Sequence, residues 1–131
     1  MKARVSSIIA WICVILVAVF NLFAAVMKFV PQAPDSEGAK FMTLLGVTPS
    51  MEHILGVLEF AIVILYLVPR TSTVGFVLMV GYMAGALATN LTHGFSNMDA
   101  LPIYICFLLM TVSAYFRNPE LLSRLKGQKT A

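Results

Sequence analysis

Residues 51–68 read MEHILGVLEFAIVILYLV, and the single carboxylate in the middle of that run, Glu59, decides how the chain is read. From Ile54 to Val68 every other residue is apolar or glycine. At about 1.5 Å rise per residue such a run approaches the span of a hydrocarbon core about 30 Å thick. Three more apolar runs lie outward from it, at residues 5–27, 72–92 and 100–116. All four read as helices, because lipid leaves an open strand's backbone unsatisfied. The runs at 5–27 and 72–92 have full spanning length. Those at 51–68 and 100–116 are short, which calls for local bilayer thinning or extra interfacial turns. The fold expected is an all-α, up-down four-helix membrane bundle, one domain over residues 1–131.

Composition supports this. Of 131 residues 60% are hydrophobic and 11% charged, with a mean hydropathy of +0.90. A soluble domain is about 45–50% apolar and about 25% charged. The balance excludes a disordered chain, a nucleic-acid-binding domain and a disulfide-stapled secreted module. Cys13 and Cys106 lie far apart in apolar runs without a CxxC, so they read as buried thiols.

Local signals mark the ends of the runs. Thr48-Pro49 reads as N-cap and first-turn proline, and Pro69 as a stop. Gly94 stands at a C-cap position, and Asp99 is placed to cap the last span, with Pro102 in its first turn. Lys2 and Arg4 resemble the n-region of a signal peptide, but the apolar stretch after them is too long for an h-region and lacks a clear cleavage site. Residues 36–45 and 118–126 are short amphipathic pieces, expected as helices on the membrane interface.

Charge sets the orientation. Lys2, Arg4, Arg70, Arg117, Arg124, Lys126 and Lys129 fall on one side, and only Lys28 and Lys40 on the other. The positive-inside rule places both termini in the cytoplasm of a multi-pass plasma (inner) membrane protein. Thirteen of the fifteen charged residues lie outside the spans; Glu52 sits at a span's outer end, and Glu59 alone is deep.

Glu59 lies eight residues into its helix, about 12 Å deep. A carboxylate at that depth must face the bundle interior, find partners or stay protonated. Asn21 and Tyr82 reach similar depths on their own helices, about 9 and 15 Å. Asn21 with Lys28, Glu52 with Glu59, and Tyr82 with Thr89 are each seven residues apart and share a helix face. These stripes predict one polar pocket opening away from the cytoplasm. Its floor is Glu59, Asn21 and Tyr82; its mouth is Lys28, Glu52 or His53, Asn90 and His93. A hydrogen-bonded network that merely sets helix register is the competing reading.

Gly81 and Gly85 form a GxxxG on the third span and read as a close helix-packing face, within the subunit or in a homo-oligomer. His53, His93 and Glu59 are metal-ligand types, but His53 and Glu59 point about 120° apart, so no metal is expected. Serine and cysteine nucleophile patterns are lacking too, and a stand-alone catalyst is not expected.

The stretches Leu44–Pro49, Leu55–Glu59, Val68–Arg70, Gly81–Ala86, Thr89–His93 and Phe116–Pro119 resemble the DoxX-like family of small four-helix membrane proteins. The resemblance covers nearly the whole chain. It implies a compact bundle with both termini inside and marks Glu59, His93 and Lys28 as positions of interest. Some relatives are tied to thiosulfate–quinone or quinol oxidation, others to thiol and oxidative-stress complexes or to channel assembly. The expectation is an accessory subunit or partner of a quinone- or thiol-linked oxidoreductase, with no cofactor motif of its own but room for a quinone. The alternatives are an assembly factor for other membrane proteins and, less well supported, a small proton-coupled carrier. Partners expected are the lipid bilayer and other membrane proteins, not nucleic acid.

Overall fold

The structure, a computed structural model, describes residues 1–127. Lys129, counted above among the basic residues, lies outside the described residues. Six helices follow in order: α1 (Lys2–Met27), α2 (Glu37–Leu44), α3 (Pro49–Leu67), α4 (Ser72–Thr92), α5 (Leu101–Arg117) and α6 (Pro119–Leu125). Among the described residues there are no strands. α1, α3 and α4 are long and apolar enough to cross a membrane. α5 has 17 residues and turns by 96° into α6, a fourth candidate if the bent pair is taken together.

Small side chains at helical spacing explain how α1 sits against its neighbours. Ala10, Cys13, Val14, Val17, Ala18, Asn21 and Ala25 form its buried stripe, and α1 packs on both α3 and α5. α4 packs closely on α3 and more loosely on α5. Val14, Val17, Val63, Tyr66, Met79 and Met110 fill the middle of the core. Ile12, Leu16, Val19 and Phe23 on α1, Ile54 and Val57 on α3, and Val74 and Val77 on α4 point outward. That inversion of the soluble pattern suits a lipid solvent.

The close α3–α4 approach depends on Gly75. A Cβ there would overlap the backbone of Leu65 and Tyr66. At the same end of the molecule, Arg117 donates from both Nη atoms, at 2.7 Å each, to the carbonyls of Tyr66 and Leu67. Those carbonyls end a helix and have no partner within it. The Arg117 guanidinium also lies 4.8 Å from the centroid of the Trp11 ring. Tyr66 Oη and Ser113 Oγ, both buried, share a 3.0 Å hydrogen bond that ties α3 to α5.

The local signals are mostly realised. The Thr48 side chain accepts from the Met51 N–H, and Pro49 opens α3. α3 ends ahead of Pro69, and Gly94 follows α4 with φ +88°. Asp99, however, does not cap α5. Its carboxylate accepts from the N–H and hydroxyl of Ser96, closing a turn one step earlier, and Ala100 is the N-cap. Asn118 stands at the N-cap of α6 without a side-chain capping hydrogen bond; its Nδ2 donates to Ser72 and Thr73 of α4, at 3.0 Å each.

Candidate functional site

One end of the helix assembly is hollow. The ends of α1 and α4, the starts of α3 and α5, and α2 enclose a cavity of about 530 Å³. This is a common size for a small-molecule site. Its walls are mainly apolar: Phe20 and Ala24 of α1, Leu55 of α3, Met83 and Ala86 of α4, and Pro102 and Ile103 of α5. In α2, Phe41, Met42 and Leu45, the apolar face read from the sequence, line the cavity, and Phe41 packs edge-on against Phe95 at 5.0 Å. The Ser36 side chain starts α2 by accepting from the Ala39 N–H, and Gly46, at φ +72°, ends it.

The polar floor is built from three helices. Lys28 caps α1 and reaches back to donate to Glu59 Oε2 at 2.6 Å, with a second contact to the Ala24 carbonyl at 3.3 Å. Tyr82 of α4 donates to the same Glu59 oxygen at 3.1 Å. The Lys28 and Glu59 side chains are 11% and 3% exposed, so this ion pair is buried. Asn21 is wholly buried; its Nδ2 donates to the Val17 carbonyl, and its Oδ1 has no partner. Thus Glu59 is held through one oxygen by a cation and a phenol from two other helices.

Five of the seven residues expected in the pocket line this cavity: Glu59, Asn21, Tyr82, Asn90 and Lys28. Lys28 belongs to the floor rather than the mouth, because its four-carbon stem spans the depth between α1's end and Glu59. Glu52 and His93 do not line it. His93 is exposed, its Nδ1 2.8 Å from the Thr89 carbonyl. His53 stacks on Phe29 at 5.7 Å. Among the described residues no three His, Cys, Asp or Glu side chains come together as a metal site.

Gly81 and Gly85 need correction. A Cβ at either would meet nothing within 4 Å, so within the subunit they mediate no close helix contact. They line the cavity and lower its α4 wall. Gly75, outside the GxxxG, makes the close approach. A spacing motif states which residues share a face, but not what that face meets.

Sequence reasoning missed the α2 wall and Asp99, which also lines the cavity. Hydrogen bonds from the Ser96 hydroxyl and N–H hold the Asp99 carboxyl below the usual carboxylate range. The apolar residues Phe41, Met42 and Leu45, three and four apart, were the available signal for α2. They showed an amphipathic helix but not what it would cover.

No curated protein and no solved structure matches the chain. The model of the DoxX-like family matches residues 12–112, which includes all five cavity-lining polar residues named above. With most of its length matched and with apolar helices long enough to span a bilayer, the chain belongs to the DoxX-like family of membrane proteins.

Proposed function

We propose that this protein is an accessory subunit or partner of a quinone-linked oxidoreductase system, and that its cavity receives the quinone headgroup. The observation that carries this is an apolar cavity of about 530 Å³ ending in one compact polar floor, Lys28–Glu59–Tyr82 with Asn21. That profile suits an amphiphile with one polar end. A quinone ring and the first part of its tail match the walls, and the fixed polar groups match the ring oxygens. These residues bind and orient such a headgroup; no nucleophile or resident redox group among them points to catalysis by this chain alone.

The membrane placement belongs to the same proposal. The four long helices run up and down, the basic ends lie in the cytoplasm, and the cavity opens to the opposite side of the plasma (inner) membrane. The quinone reading is favoured over a thiol-linked one because Cys13 and Cys106 are both buried in the core. Purification in mild detergent tests it. The wild-type protein should carry lipid-extractable quinone, and Glu59→Gln should lose it while remaining folded. Equal quinone content in the two would refute the assignment.

A further inference from the structure

The α4 wall of the cavity is low at a depth where lipid stands outside it. Gly81 and Gly85 line the cavity, are exposed, and have open space where a Cβ would stand. Helical spacing places them on the edge of α4 between two faces. On one side are Tyr82, Met83 and Ala86, which also line the cavity. On the other are Val77, Ala84 and Ala88, which are exposed and do not line it. Pro102, at the start of α5, both lines the cavity and is exposed. α4 and α5 pack more loosely than the other neighbouring pairs of long helices. Gly85 and Gly81 lie about 10 and 16 Å along the helix from its end at Thr92. In a hydrocarbon core about 30 Å thick, both stand opposite acyl chains rather than headgroups or water.

We propose that the cavity opens sideways into the bilayer between α4 and the start of α5, and that an acyl chain of a surrounding lipid enters there and occupies its apolar part. The chain passes over Gly81 and Gly85 and lies against Leu55, Ala86 and Phe20, all of which line the cavity. Such walls give a chain the dispersion contacts it has in lipid and demand no hydrogen bond from it. A side chain at either glycine would stand in the opening. α2, in the loop at that end of the bundle, sets Phe41, Met42 and Leu45 against the cavity, and the side route needs no movement of that helix. The inference does not rest on the quinone reading: the chain takes the apolar walls and leaves the polar floor alone.

Photo-crosslinking of the full chain in nanodiscs tests this, with a phosphatidylcholine that carries a diazirine near the end of one acyl chain. On illumination the diazirine loses nitrogen, the carbene inserts into a bond beside it, and peptide mass spectrometry places the adducts. The wild-type protein should be labelled at the half-buried cavity residues Leu55 and Ala86 as well as at the outward-facing Val77 and Phe23. Gly81→Leu or Gly85→Leu should lose the cavity adducts and keep the outer ones. Ala84→Leu, which adds its bulk on the lipid face, should keep both. A phosphatidylcholine with the diazirine in its headgroup should leave Leu55 and Ala86 unlabelled. Absence of cavity adducts in the wild-type protein would overturn the inference. So would cavity adducts that survive in both glycine variants, or that the headgroup reagent gives equally. The comparison of the two reagents on wild-type protein carries the result even if a glycine variant folds poorly. Quinone content is measured separately, so a failure here leaves that reading standing.

Discussion

Lys28 and Glu59, 31 residues apart in the chain, meet at 2.6 Å in the interior of the helix assembly. One caps the end of α1 and the other sits midway along α3, so the pair fixes the register of two helices as well as the floor of the cavity. A buried carboxylate without a cation would have to take up a proton or draw in water. Here the cation is supplied by the residue that ends the neighbouring helix.

Removing one partner should therefore cost more than removing both. Lys28→Met is expected to destabilise by about 3 kcal/mol, because it leaves Glu59 buried without its cation. The Lys28→Met/Glu59→Gln double variant should recover a good part of that loss. Chemical denaturation in detergent micelles measures both, and a double variant as unstable as the sum of the singles would refute the pairing argument.

The glycines of α4 should behave oppositely, Gly75 in its first turn and Gly81 and Gly85 in its middle. Gly75→Ala is expected to prevent folding, since its Cβ would overlap the α3 backbone. Gly81→Ala and Gly85→Ala meet open space and should be neutral or stabilise by up to about 1 kcal/mol through helix propensity. Gly85→Leu should fold normally and reduce cavity occupancy. Melting temperatures and retained quinone distinguish the three cases.

Arg117 should not be replaceable by lysine. Its planar fork satisfies two carbonyls at the end of α3 at once, a geometry that an ammonium does not reproduce. Arg117→Lys is expected to lose about 1–3 kcal/mol, with faster amide exchange in the last turn of α3. Unchanged exchange there would count against the clamp.

Glu120 gives the acid limb of stability a defined origin. The Thr73 hydroxyl, and less strongly Asn118, donate to its carboxylate and hold it below the usual carboxylate range. A carboxyl depressed in the folded state contributes stability that is complete above its unfolded value and is lost as pH falls through its folded value. Thr73→Val should raise the Glu120 titration toward the ordinary range and shrink the loss of melting temperature on acidification below that range. An NMR titration of the Glu120 side chain gives the direct reading.

The two cysteines should resist modification in the folded protein. Both are buried, so a membrane-permeant maleimide should label them slowly in nanodiscs and completely after denaturation. Rapid labelling of either in the folded state would reopen the thiol-linked reading.

Much of the cavity floor was legible before its geometry was known. Depth arithmetic puts Asn21, Glu59 and Tyr82 at a common level, and the structure brings the three together. It failed for Lys28, Glu52 and His93 because it locates Cα atoms and not the reach of a side chain. Lys28 is long and bends inward; His93 turns back to the Thr89 carbonyl of its own helix. Asp99 departs from its expected capping role for a related reason. It has cap chemistry, but the Ser96 N–H and hydroxyl lie closer.

The sequence by itself determined the solvent of this protein and the number and extent of its long apolar segments. Those follow from hydropathy, run length and proline or glycine punctuation, all of them properties of neighbouring residues. The tertiary structure alone decided that Glu59 is paired with Lys28, that Gly75 rather than the GxxxG makes the close approach, and that α2 walls a cavity. Each of these depends on which faces of separate helices meet. Periodicity defines a face on one helix, and only packing settles what lies across from it.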